Sequence, residues 1–234
     1  MPAGPRDPWW QRASDWLLPP RCVSCGRRGH EICPQCWQES HPLTAPLCPR
    51  CSVPSAGGRL CHQCAGRAHP TRAILARYPF EGAIRAALVG LKYESRTRLA
   101  PHLAVALVAA LEARPISFDV VVPVPLAPGR RQARGHNQSE LLARALAAER
   151  GVELAPGILR REHETRPQQG LSARERRINV RGAFAAAPDS SLDGRRVMLV
   201  DDVCTTGATL DACAQALADA GAAGVWAVVV AREL

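Results

Sequence analysis

Lysine is almost absent: Lys92 is the single lysine among 30 basic residues, so arginine carries nearly all the positive charge. Aromatic residues make up only 4% of the 234 positions, which leaves few rings for the stacking platforms that single-strand nucleic-acid binders use. No apolar run approaches the ~18 residues of a membrane span. The N-terminus has no basic segment leading into an apolar stretch, so no secretory signal is expected. A disulfide framework is not indicated either, because eight of the ten cysteines fall in Cys-x-x-Cys pairs. That pattern belongs to metal ligation in a reducing compartment, and a cytoplasmic protein is expected.

What is present is a hydrophobic content of 47% and a net charge of +9. The length suits one medium domain and a small one. The basic excess fits phosphate-rich partners, whether a phosphosugar, a nucleotide or nucleic acid. It fits equally a compositional bias toward Arg, Ala and Pro, so charge alone decides nothing.

Residues 1–21 form a leader in which Pro8 to Leu18 has the spacing of a short amphipathic helix, stopped by Pro19-Pro20. Residues 22–70 carry four knuckles: Cys22-x-x-Cys25, Cys33-x-x-Cys36, Cys48-x-x-Cys51 and Cys61-x-x-Cys64. Eight thiolates suffice for two tetrahedral Zn²⁺ sites. So short a stretch with few aliphatics cannot build an adequate core, and metal is expected to supply its folding energy. Sequential pairing gives a double zinc ribbon and is preferred, because each half repeats one pattern. The alternative is a cross-brace joining the first knuckle to the third and the second to the fourth. His30, His41, His62 and His69 are then surplus and are expected at the surface.

Residues 71–234 read as an α/β domain. Ala73 to Phe80 looks like an edge strand, since Pro79 is barred from a central position. Helices are predicted from Gly82 to Leu91 and from Leu99 to Leu111. Lys92 either meets a substrate anion or ends a solvated helix, and the second is the general expectation. An apolar strand, Asp119 to Pro125, leads into a polar loop, Leu126 to Ser139, and then a helix from Glu140 to Arg150. Arg130, Arg131 and Arg134 cluster in that loop without an acid, as a pyrophosphate site would need. Asn137 and Gln138 can orient ribose, phosphate or a water. Pro156 to Arg160 suggests a short strand, and Arg161 to Phe184 is polar and basic.

The densest chemistry follows the apolar run Val197 to Val200. Asp201 and Asp202 stand at its end, followed by Val203-Cys204-Thr205-Thr206-Gly207-Ala208-Thr209 and an Ala/Leu-rich helix closing before Gly221. Hydroxyls and backbone N–H groups at a helix N-terminus suit a phosphate. The acids suit a diol or a divalent cation. Cys204 and Cys213 have no Cys-x-x-Cys partner and read as ordinary small residues. A last strand spans Val225 to Ala231.

Strand, D-D-x-x-T-T-G and helix together resemble the motif that binds 5-phosphoribosyl-1-pyrophosphate (PRPP) in type I phosphoribosyltransferases. With V-P-V-P-L, R-x-x-R-G-x-N-Q and the N-terminal Cys-x-x-Cys pairs added, the chain resembles the ComF family over nearly all its length after residue 17. Members join a zinc module to a phosphoribosyltransferase-like domain and are associated with natural transformation and DNA uptake. The resemblance implies a parallel sheet flanked by helices, with a small N-terminal double zinc ribbon. It implies PRPP with Mg²⁺ as ligand, or a similar phosphosugar, and single-stranded DNA and the DNA-uptake machinery as candidate partners. It places the 5′-phosphate on Thr205, Thr206, Gly207 and Thr209, and the ribose hydroxyls on Asp201 and Asp202, directly or through Mg²⁺. The 130–134 arginines with Mg²⁺ would meet the pyrophosphate. Thr165, Gln168, Leu171, Arg177 and Asn179 match a family pattern in the mobile lid, with Arg174 at a neighbouring place. One departure stands out: Thr205 occupies the place where purine-salvage relatives carry a general base. An acceptor that is anionic, ammonia-like or absent is therefore expected, and a non-catalytic PRPP-binding or single-strand-DNA-binding accessory protein is the alternative.

Overall fold

The computed structural model describes residues 19–163, 172–180, 182–188, 190 and 192–234. The expected leader helix, Thr165, Gln168 and Leu171 lie outside the described residues, as do the side chains of Arg174 and Arg177.

Five parallel strands form the central sheet, in the order β1 (Ile74–Pro79), β7 (Gly224–Arg232), β6 (Arg196–Cys204), β2 (Val120–Pro123) and β3 (Glu153–Leu154). Side chains alternate across a strand. Met198 and Val200 therefore face one layer, where α2 (Gly82–Tyr93), α3 (Leu99–Ala113) and α5 (Gln138–Arg150) bring Leu88, Leu103, Leu107, Leu142 and Leu146. Val197 and Leu199 face the other layer. There Leu210, Cys213 and Leu217 of α7 (Ala208–Asp219) join Leu159 and Phe184 from an antiparallel pair, β4 (Leu159–Arg161) with β5 (Phe184–Ala186). A sheet covered on both faces needs strands that are apolar on both, which is why its central strands read as unbroken apolar runs. The fold is the expected α/β one, with β1 and its terminal Pro79 at the sheet edge.

Two stretches differ from expectation. The supposed polar loop contains a short helix, α4 (Pro128–Arg134). Pro128 is pre-set for a first helical turn, and Gly135, at φ 74°, ends the helix in the left-handed region. The acid pair is also part of a strand: β6 continues through Asp201 and Asp202 because its pairing with β7 runs on to Cys204 opposite Arg232. In the basic segment after β4, α6 (Ala173–Val180) precedes β5.

The cysteine-rich module, which includes α1 (Pro34–Gln38), packs along the open edge of β1. Ser52 Oγ donates to the Ile74 carbonyl at 2.9 Å and accepts from the Ala76 N–H at 3.3 Å, while Ile74 N–H donates to the Arg50 carbonyl at 2.7 Å. An edge strand left bare is a template for unwanted pairing, and this module caps it. Trp37 meets Tyr78 edge-on at 5.9 Å. Buried Glu31 receives Arg96 at 2.5 Å. His30, His41 and His62 are exposed, as expected; His69 is not, because it sits against Asp211 at 2.9 Å.

Candidate functional site

Strands β2 and β6 are neighbours, yet the chain leaves them in opposite directions: from β2 through α5 to β3, and from β6 through α7 to β7. Diverging connections open a crevice at the carboxyl ends of such strands. A cleft of about 340 Å³ lies there, bordered by Lys92, Tyr93, Arg130, Arg134, Gln138, Ser139 and the run from Asp201 to Leu210.

The two acids are not equivalent. Asp202 is 4% exposed, and its Oδ2 lies 2.5 Å from Lys92 Nζ. At that distance an ammonium and a carboxylate make a charge-assisted contact. Burial by itself lowers the Lys92 pKa, but the facing Asp202, with Asp201 and Tyr93 behind it, more than reverses this and leaves it above the ordinary value. Lys92 is thus a partner of the acid pair rather than a solvated helix end. Asp201 Oδ1 accepts from Ser139 Oγ at 2.7 Å and from the Asp202 N–H at 2.9 Å. Burial, and then the adjacent Asp202, push the Asp201 pKa up to about 7.

Beyond the acids, Thr205 and Thr206 turn the chain into α7. Gly207 has φ 80°, which demands glycine, and a Cβ on it would stand 3.0 Å from Ile74 Cδ1 and push that methyl aside. Thr206 Oγ1 accepts from the Ala208 N–H at 3.3 Å. Val203, Cys204, Ala208 and Thr209 also border the cleft. Cys204 is 2% exposed and its thiol receives Arg232, a buried arginine the sequence did not single out.

On the facing wall Arg134 donates to Gln138 Oε1 at 3.0 Å and stacks 4.8 Å from the ring centre of Tyr93. Two expected ligands are placed elsewhere. Arg131 is turned to Glu140 at 3.7 Å and does not border the cleft. Asn137 is buried as the N-cap of α5: it accepts from the Ser139 N–H at 3.1 Å and donates to the Val124 carbonyl at 3.1 Å. It is 6% exposed and held by these two contacts, and it does not border the cleft. Arg161, Arg176 and Glu233 border the cleft without having been singled out; the only sequence signal for the arginines was the basic character of their segment. Gln168 and the side chains of Arg174 and Arg177 lie outside the described residues.

The cysteines gather as Cys22, Cys25, Cys33, Cys36 and as Cys48, Cys51, Cys61, Cys64, with all four sulfurs of each set within 4.8 Å of one another. A tetrahedral Zn²⁺ with Zn–S bonds of about 2.3 Å places its sulfurs about 3.8 Å apart, so both sets fit the ion. Backbone N–H groups of Cys33 and Cys61 donate to the Cys22 and Cys48 sulfurs at 3.3 and 3.4 Å, as thiolate ligands require. Pairing is sequential, and the cross-brace is excluded.

Residues 13–65 match the double zinc ribbon domain family and residues 88–234 the phosphoribosyl transferase domain family. The "DNA utilization protein YhgH" of Salmonella typhimurium is 34% identical over 194 residues, 80% of this chain and 85% of that protein. The "Competence protein ComFC" of Bacillus subtilis is 26% identical over 82% of this chain and 80% of its own length. The "Competence protein F" of Haemophilus influenzae is 39% identical over 44% of this chain and 45% of its own.

Proposed function

Since the chain belongs to the ComF family, a double zinc ribbon joined to a phosphoribosyl transferase domain, we propose that it is a DNA-utilization or competence protein whose cleft binds PRPP. The observation that carries the reading is the meeting, in one cleft, of a threonine loop at a helix N-terminus, an acid pair and a facing arginine wall. The loop from Thr205 to Thr209 would hold the 5′-phosphate through hydroxyls and the orphan N–H groups of α7. Asp201 would accept the ribose hydroxyls. Asp202, already neutralised by Lys92, would keep the loop in place. Arg130 and Arg134 would chelate the pyrophosphate. Mg²⁺ would enter with that group, with Asp201 as the carboxylate positioned to meet it, and would neutralise its charge.

Such a site favours cleavage of the C1–O bond to pyrophosphate, with the acceptor forming the new bond at C1. The carboxylates described at the cleft are Asp201, Asp202 and Glu233, and Glu233 leans to Arg176 at 3.8 Å. With Asp201 given to the ribose and Asp202 to Lys92, none of these carboxylates is left as a base beside the loop, which supports an acceptor needing no deprotonation, or binding without turnover. A second reading, contact with single-stranded DNA, draws on Tyr93: it is 70% exposed, beside Arg134 at the cleft rim. Salt-dependent oligonucleotide affinity that survives Asp201→Asn and is lost in Arg130→Gln/Arg134→Gln would favour it.

The deciding experiment is calorimetric titration of PRPP with Mg²⁺ into zinc-replete protein, wild type beside Asp201→Asn and Arg134→Gln. Binding by the wild type that weakens at least about tenfold in each variant is expected. Folded wild type that takes up no PRPP would overturn the reading.

A further inference from the structure

The second cysteine set lies against the helix that carries the phosphate loop. Arg50, between Cys48 and Cys51, donates from Nη2 to Asp211 Oδ1 at 2.8 Å. Asp211 stands in the first turn of α7, where it also accepts from Thr71 Oγ1 at 2.5 Å and meets His69 Nδ1 at 2.9 Å. On the other side of the loop, Arg232 at the end of β7 is 2% exposed and donates to the sulfur of Cys204, where β6 gives way to the loop. Arg50, Cys51, Cys64, Thr206, Asp211 and Arg232 border one gap of about 10 Å³, room for roughly one water.

Charge explains why two arginines are buried there. Zn²⁺ with four thiolates carries two net negative charges, and buried charge needs a partner. Arg50 Nε and Nη1 and Arg232 Nε are buried with no hydrogen-bond acceptor among the described residues. The sulfurs of Cys51 and Cys64 border the same gap, and as metal-bound thiolates they carry the opposite charge, so their pull on the two guanidinium groups is electrostatic rather than a hydrogen bond. The first cysteine set has a different neighbourhood. Its cluster contains Ile32 and Ala83, and the nearby Glu31–Arg96 pair leads to the turn between α2 and α3, away from the loop.

We propose that the zinc ion held by Cys48, Cys51, Cys61 and Cys64 sets the position of the phosphate loop through Arg50 and Arg232, which are positioning residues for the ligand. The zinc module then does more than cap a sheet edge: its second cysteine set reaches the helix of the phosphate loop through Arg50 and Asp211, while the first packs on α2 at Ala83. The consequence for ligand affinity rests on the PRPP reading; the mechanical link does not.

The test is amide hydrogen exchange on ligand-free, zinc-replete protein, comparing wild type with Arg50→Ala, Asp211→Asn and the control Arg96→Ala. Arg50→Ala and Asp211→Asn should speed exchange across residues 205–210 by about tenfold while β2 keeps its protection. Arg96→Ala should leave 205–210 unchanged. Cys61→Ser, which removes a ligand of the second ion alone, should reproduce the Arg50→Ala pattern. Unchanged 205–210 exchange in Arg50→Ala and Asp211→Asn, or an equal rise throughout the sheet, would overturn the proposal. Titration of PRPP with Mg²⁺ into the same proteins should show about tenfold weaker binding in Arg50→Ala. A wild type that binds no PRPP would remove the ligand reading, and the exchange pattern would still decide the link.

Discussion

Half-buried Lys92 at the end of α2 and buried Asp202 in β6 form an ion pair, with Nζ 2.5 Å from Oδ2 and side-chain exposures of 20% and 5%. The chain's single lysine is therefore spent on holding one acid of the site. Removing one partner of a buried pair strands the other charge, which costs about 3–5 kcal/mol. Lys92→Met should lose stability on that scale in urea denaturation. Lys92→Met/Asp202→Asn should regain most of it, because no bare carboxylate remains. Equal losses in the single and double variants would contradict the pairing.

Asp201 makes both stability and binding pH-dependent. Its folded pKa is raised from 3.8 to about 7, so the folded state holds the proton longer than the unfolded state. Stability from this group is greatest in acid, falls as pH rises from about 4 to 7, and is flat above. Ribose hydroxyls donate to the ionised carboxylate, so PRPP affinity should rise between pH 6 and pH 8. Asp201→Asn should flatten the rise that calorimetry reads, apart from the titration of the ligand's own phosphates.

Gly207 meets two constraints, a φ of 80° and the Ile74 methyl 3.0 Å from where a Cβ would stand. Gly207→Ala should cost about 1–2 kcal/mol from the left-handed backbone alone. Ile74→Val in the same protein should return part of the further loss from the clash. Thermal denaturation reads the first effect, and phosphosugar affinity should fall with it.

Asn137 separates a capping role from a ligand role. Asn137→Ala should lower stability by about 1–2 kcal/mol, as loss of an N-cap does. PRPP affinity at a temperature where the variant is folded should change by less than about threefold, since no ligand contact is lost. A loss comparable to that of Arg134→Gln would return Asn137 to the site.

Metal content should be two zinc ions per chain by elemental analysis, falling to one in Cys33→Ser. Chelation should lower the melting temperature, because the module that caps β1 has little apolar core of its own.

Among the described residues no helix is long and apolar enough to cross a membrane. Local pattern carried much of the rest into view. Cys-x-x-Cys spacing determines which sulfurs one turn can present to a metal. An apolar run must become a strand buried on both faces, and a Thr-Gly turn before an Ala/Leu-rich stretch must open a helix with bare N–H groups. These are short-range consequences of covalent geometry and burial, so the zinc ribbon, the α/β order and the Asp201–Thr209 motif were all legible in the chain.

What only the tertiary structure decided is which groups already have partners. Asp201 and Asp202 are neighbours with the same chemistry, yet Lys92 claims one and Ser139 contacts the other, from elements 110 and 62 positions earlier in the chain. Asn137 and Arg131 matched a ligand pattern, but the first is turned inward as the cap of α5, and the second, on α4, lies against Glu140. Arg50 and Arg232 carried no signal at all, since a buried arginine looks like an exposed one in sequence. Whether a polar group is free to meet a ligand depends on what the fold brings against it, and that is a long-range property no spacing encodes.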